Sequence, residues 1–228
     1  MSDVQPSAPA LVQTSLDSEI AVPIRKRPKP GERRVQILQA LATMLEQPGA
    51  ERITTAALAA RLNVSEAALY RHFASKAQMF EGLIEFIEQT VFSLVNQIAE
   101  RESPSGAAED VGGAGPGTRQ AAKVVIMVMQ FAEKNPGMTR VMVGDALVFE
   151  NERLQQRMNQ FFDKIEATLR QNLRGAAELS GSATPTVDTQ VRASVLTAFV
   201  VGRLQRFARS GFKRSPSEHL EASLALIL

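Results

Sequence analysis

From Glu32 to the last residue, apolar side chains recur at intervals of three and four, and no stretch alternates in twos long enough to make a strand. That period confines the chain to helices packed on one another. The first stripe is Leu38, Leu41 and Leu45, flanked by Ile37 and Met44, and it stops at Gln47-Pro48-Gly49. Two short helices are predicted at 55–62 and 65–73. Ser75 opens a long one, with Gln78 placed to complete a capping box, and Phe80, Ile84, Ile87, Val91, Leu94 and Ile98 carry it to about Arg101. Beyond a Gly-rich loop at 103–117, helices are predicted at 118–134, 139–149, 152–174 and 187–209, with a soft loop at 175–185 and a last helix starting near Ser217. The expected fold is all-α: a small N-terminal bundle on a larger C-terminal one. Residues 1–31 read as a disordered tail ending in a basic arm, 32–76 as the small bundle and 77–228 as the large one.

Composition narrows the function. The chain of 228 residues has no cysteine, which excludes disulfides and thiolate metal sites and suits a reducing cytoplasm. The apolar run VVIMVM (124–129) is too short to span a bilayer, and the first 20 residues lack a signal-peptide pattern. The two histidines, His72 and His219, lie far apart in sequence, and GGAGPG (112–117) lacks the Lys-Ser/Thr and the preceding strand of a phosphate loop. Nothing here suggests an enzyme, a metal or a cofactor. Charge is more telling. Residues 24–76 hold ten Lys/Arg and four Asp/Glu, leaving 16 basic and 20 acidic residues elsewhere. A basic first module on an acidic body points to a polyanionic partner; a solvated charged face is the plainer alternative.

The sequence ITTAALAARLNVSEAALYRHF (53–73) shows how such a partner could be read. Ala57, Ala59 and Ala60 keep the first short helix thin, so the second can cross it closely. Asn63 falls in the turn, where a left-handed backbone is expected and Asn tolerates it. Ser65 is a suitable N-cap, and Val64, Leu69 and Phe73 face inward. A nine-residue second helix would be about 13 Å long, suited to a major groove. Its outward side offers Glu66, Ala67, Tyr70 and Arg71. Small residues let the backbone approach base edges, while Tyr70, Arg71 and Lys76 reach phosphates. Thr54 and Thr55 offer hydroxyls and N–H groups at the start of the first helix. Arg25, Lys26 and Arg27 form an arm of the kind that enters a neighbouring groove.

The stretch 53–80, with Tyr-x-His-Phe and then Ser75-Lys76, resembles the DNA-binding half of the TetR family of helix-turn-helix regulators. Asn63 stands where that family usually has Gly. The resemblance implies that Tyr70, His72 and Lys76 lie at the DNA backbone. His72 as a structural histidine and Tyr70 as packing are the alternatives. The stretches 65–89 and 135–174 are similar to the branch of that family that acts in nucleoid occlusion. What this branch implies is binding to palindromic DNA sites and, from there, contact with the C-terminal tail of the tubulin-like division protein FtsZ, whose polymers it disrupts. By that resemblance Phe86, Met127, Lys134 and Asn135 fall where the tail binds, with Lys134 in place of the usual Arg. The residues give some support. Phe86 sits about 100° off the stripe of its helix between Glu85 and Glu88, and Lys134-Asn135 would make a polar rim. Core packing of Phe86 and Met127 is the alternative.

A palindrome implies a homodimer, since one recognition helix reads too few base pairs. The helices at 152–174 and 187–209 are the expected interface, with Leu196, Phe199, Val200, Leu204 and Phe207 forming a stripe on the second; packing in the chain's own core is the alternative, and a four-helix seam allows both roles. The rival function is a ligand-responsive repressor of the same fold. It requires an enclosed pocket that the residues at 124–129 could line.

Overall fold

The computed structural model describes residues 31–47, 53–101, 115–179, 181 and 183–228. Among the described residues there are helices and no strands. The order is α1 (Glu32–Leu45), α2 (Thr55–Arg61), α3 (Glu66–Tyr70), α4 (Lys76–Arg101), α5 (Pro116–Lys134), α6 (Pro136–Met142), a 3-10 turn (Asp145–Leu147), α7 (Glu152–Leu179), α8 (Pro185–Arg209) and α9 (Leu220–Ile227). Helices α1–α3 form a headpiece, and α4 runs from it into a body made with α5, α7 and α8. Apolar packing is continuous across the join: Ile37, Leu41 and Phe73 belong to the same buried cluster as Ile84, Val128 and Leu196. Gly82 makes room for this, because a Cβ there would lie 3.1 Å from the Phe73 ring.

Several boundaries depart from the sequence expectation. Helix α3 ends at Tyr70 instead of running to Phe73, since Arg34 Nη1 donates to the His72 carbonyl at 3.1 Å and its guanidinium stacks 4.2 Å from the Phe73 ring. Pro136 does not end a helix but begins one, at the first position, where its missing N–H is no loss. The expected helix at 139–149 is therefore α6 followed by a 3-10 turn, separated by Gly144 at φ 83°. Helix α7 runs on to Leu179 through Ala176 and Ala177, with an Arg174–Glu178 pair four residues apart. Helix α9 begins at Leu220 and not near Ser217, after His219 takes a left-handed φ of 52°.

Glycine also sets how the headpiece sits. Gly137, in the first turn of α6, packs so close to α1 that a Cβ would lie 1.9 Å from the Ala42 carbonyl oxygen. Charge also ties α4 to the segment around the start of α7. Lys76 pairs with Glu150, Arg153 with Glu81, and Arg157 and Lys164 with Glu88, the last two at 3.0 and 3.4 Å. These pairs run along the seam between α4 and the start of α7.

Candidate nucleic-acid interface

Helices α2 and α3 are held by their caps and by one bond between them. Thr54 is extended, and its Oγ1 accepts the Ala57 N–H at 3.1 Å. Ser65 does the same for α3, accepting the Ala68 N–H at 3.3 Å. Between them Asn63 takes φ 52°. The Val64 N–H then reaches the Ala59 carbonyl and the Asn63 N–H the Ala60 carbonyl, both at 3.0 Å, a Schellman closure with Asn in glycine's usual place. Thr55 Oγ1 donates to Glu66 Oε2 at 2.6 Å, linking the start of α2 to the start of α3.

The outward face is assembled from those ends. Thr54, Ser65, Glu66, Ala67, Tyr70, Arg71 and His72 are exposed, and Thr55 is half-buried. Tyr70 is 45% exposed, too open for a packing role, while Leu69 and Phe73 are buried beneath it. Two helix N-termini thus open on one surface beside a phenol, a guanidinium and an imidazole. Their backbone dipoles and free N–H groups favour phosphate oxygens, and Ala67 leaves the backbone bare. Lys76 stands at the edge of this surface, engaged with Glu150 and within 5.7 Å of the Phe80 ring. Ser75 caps α4 by accepting the Gln78 N–H at 3.2 Å, and Gln78 Oε1 reciprocates one residue early, accepting the Ala74 N–H at 2.8 Å. Arg25, Lys26 and Arg27 lie outside the described residues. Arg34 and Glu150 are invisible as participants in the sequence, because each acts on a residue 38 or 74 positions away.

The groove residues sit on α4 and α5, which pack together. Phe86 is 42% exposed, whereas its helix neighbours Leu83, Ile84 and Ile87 are wholly buried. Met127 is half-buried on α5 and Lys134 is exposed at its end. Asn135 also joins α5 to α6: its Nδ2 donates to the Phe131 carbonyl at 2.7 Å, and its carbonyl accepts the Thr139 N–H that starts α6. Of the residues considered for a ligand pocket, Val124, Val125, Val128 and Met129 are packed in the core at 0–1% exposure.

The stripe expected at a dimer seam on α8 packs inward in the single chain. Leu196, Val200, Leu204 and Phe207 are buried within the chain itself, at 0–4% exposure, and Phe199 is half-buried. The sequence stripe therefore marks the face of α8 that packs inward. The apolar stripe left open on the same helix is Val187, Val191 and Val195, at 58, 54 and 47% exposure, continued by Ala198 and Gly202.

Comparison with known proteins agrees with this architecture. Residues 37–83 match the model of bacterial regulatory proteins of the tetR family, and residues 118–228 match a tetracyclin repressor-like C-terminal domain of the SlmA-like type. The nucleoid occlusion factor SlmA of Vibrio vulnificus is 49% identical over 201 residues, covering 87% of this chain and 95% of that protein. SlmA of Aliivibrio fischeri is 48% identical over 201 residues, covering 88% and 96%. Solved structures share the fold at low identity. The fatty acid degradation regulator FadR of Bacillus halodurans superposes with TM-score 0.65 at 14% identity, covering 88% of this chain and 97% of that one. A TetR/AcrR-family regulator of Thermobifida fusca gives TM-score 0.58 at 15% identity, covering 86% and 96%. An identity near one half over nearly the whole length, beyond the headpiece common to all such regulators, places this chain in the family of nucleoid occlusion factor SlmA, on the TetR fold.

Proposed function

We propose that this nucleoid occlusion factor works as a homodimer that grips a palindromic DNA site and, while bound, offers its body to the C-terminal tail of FtsZ. Residues 32–76 are the reading unit and 77–228 the dimerising, regulatory body, acting on the nucleoid in the cytoplasm by binding and not by catalysis. Thr54, Thr55, Ser65, Tyr70, Arg71, His72 and Lys76 hold phosphates, with Arg25, Lys26 and Arg27 adding charge from the tail. Glu66 and Ala67 face base edges. Phe86 and Met127 take apolar side chains of the tail, and Lys134 and Asn135 its polar ones. The dimer closes through Val187, Val191, Val195, Ala198 and Gly202, whose small side chains let two copies of α8 approach closely.

The observation that carries the DNA reading is the pair of capped helix starts, at Thr54 and Ser65, opening beside exposed Tyr70 and Arg71. For the tail, support comes from Phe86, an open aromatic on an otherwise inward-packed helix. The test is sedimentation of FtsZ polymers with the full chain, with and without a duplex it has selected from random sequence. Polymer loss that depends on the selected duplex supports the reading. Release of the duplex by a metabolite, with polymers untouched, would favour a ligand-responsive repressor instead.

A further inference from the structure

The end of α8 and the segment after it hold the densest positive charge of the body. Residues 77–228 carry 16 basic and 17 acidic side chains, and five of the basic ones, with no acidic one, fall in 203–214. Arg203, Arg206 and Arg214 line an open cavity of about 560 Å³ together with Phe199, Gly202 and one carboxylate, Glu218, so three cations face a single acid there. Arg203 is held in place: it lies 5.0 Å from the Phe199 ring and donates to the Glu218 carbonyl at 2.9 Å and to Ser223 Oγ at 3.1 Å. The side chains of Arg206 and Arg214 have no acceptor among the described residues, and Arg209 and Lys213 are exposed beside them. Ser210 Oγ accepts the N–H groups of Lys213 and Arg214 at 3.1 and 2.9 Å, closing the turn after α8, and Arg214 shares the cavity with Arg206. Like charges gathered this closely repel one another, and an anion at the site relieves that cost.

Where the cluster lies decides which anion. Helices α7 and α8 are antiparallel, and Gln190 bonds both Glu166 and Arg170, at 3.0 and 2.8 Å. Counting along that register sets Arg206 level with the first turn of α7, beside which Arg153 holds Glu81 and Glu150 holds Lys76. The cluster is therefore at the headpiece end of the body. A second tie agrees: the Arg140 guanidinium, on α6, stacks 5.1 Å from the Phe212 ring, and α6 is the helix that seats on α1. The cavity floor also continues the open stripe of α8 through Ala198 and Gly202. Dimerisation through that stripe brings two such clusters together about the two-fold axis, over the middle of a palindrome.

We infer that Arg206, Lys213 and Arg214, doubled in the dimer, form a second cationic surface that binds backbone phosphates of the operator between its two half-sites. The inference rests on the DNA-bound dimer proposed above. Such contacts carry no sequence information; they add affinity and salt dependence and hold the duplex against the body.

The experiment uses the full chain and a duplex selected by the wild-type protein from random sequence. Affinity is measured against salt for wild type and for R206Q/R214Q, with hydroxyl-radical footprints of both. Four cations leave the dimer, so the slope of log affinity on log salt falls by about two to four. Protection of the central backbone disappears, and protection of the half-sites stays. K213Q/R214Q, which also removes four cations from the dimer but lies beyond α8 and its stripe, gives a change of similar size and guards against a dimerisation defect in the first variant. An unchanged slope and an unchanged central footprint in both variants overturn the inference while leaving the half-site reading intact. Unchanged DNA binding with abolished capture of an acidic peptide also overturns it, assigning the surface to a protein partner. A wild-type chain that selects no duplex sinks the DNA reading first, and this one with it.

Discussion

Lys76, at the first turn of α4, is ion-paired with Glu150, just before α7, so one side chain spans the join between headpiece and body. The pair is only part-buried, with the two side chains 28% and 11% exposed. Its two ends face different demands. Under the proposed function Lys76 takes a phosphate, and Glu150 competes with that phosphate for it. Lys76→Ala is expected to lower the salt slope of operator binding by about 0.9 for each phosphate no longer neutralised. Glu150→Gln frees the lysine and is expected to tighten binding about fivefold at low salt, a change on the order of 1 kcal/mol. Titration of a labelled duplex reads both, and a Glu150→Gln chain that binds more weakly than wild type would show that the pair positions Lys76 instead of competing for it.

Thr54→Ala removes the acceptor for the Ala57 N–H and a hydroxyl from the DNA face. The cap alone is worth about 1 kcal/mol of stability. Operator affinity is expected to fall at least about tenfold, more than this loss of stability explains in a chain that is still folded. Circular dichroism and duplex titration on the same sample separate the two effects, and wild-type affinity in the variant would remove Thr54 from the interface.

Phe86→Ala deletes a ring that is already 42% in solvent, so the stability cost is well below the roughly 3–5 kcal/mol of a buried Phe. DNA binding is expected to stay at the wild-type level while the effect on FtsZ polymers disappears. Equal damage to both activities means that Phe86 is only packing.

Val191→Glu places a carboxylate at the middle of the open stripe on α8, which the proposed dimer would bury. Sedimentation velocity is expected to show monomers at concentrations where wild type is dimeric. Leu196→Ala, one turn inward, should instead lower the melting temperature, with a loss of about 2–5 kcal/mol, since Leu196 is fully buried in the chain. A dimer that survives Val191→Glu places the interface elsewhere.

Gly137→Ala drives a methyl into the Ala42 carbonyl, which cannot rotate away as a side chain would. Destabilisation of at least about 1–3 kcal/mol is expected, as for other overpacked sites. Because the clash is between α6 and α1, amide hydrogen exchange should rise first in α1. Exchange rising first in α8 would show that the packing of Gly137 on α1 does not seat the headpiece.

Much of this architecture is legible in residue spacing, and what is not has a common cause. Helix positions follow from the three-and-four period, and Asn63 announces its left-handed turn, because both are properties of neighbours in sequence. The end of α3 is not legible, since Arg34 decides it from 38 residues away. Pro136 reads as a stop because proline both ends and begins helices, and only the Thr139 N–H bonded to the Asn135 carbonyl tells which. Helix α8 shows a limit of amphipathic reading: its most regular stripe, through Leu196, Val200 and Leu204, packs into the chain's own core, and the valines left open beside it form a weaker run. On the proposed DNA face the Thr55–Glu66 and Lys76–Glu150 bonds are not legible, because they arise only once helices meet.

Helix α4 is one unbroken rod from Lys76 to Arg101, and Phe86 stands ten residues along it, about 15 Å from the lysine. A filament tail lodged at Phe86 would hang within a few turns of helix of the chromosome itself. Polymer and genome would then be moored to a single spar, so the duplex becomes part of the obstacle the filament meets and not merely the address at which the obstacle is posted.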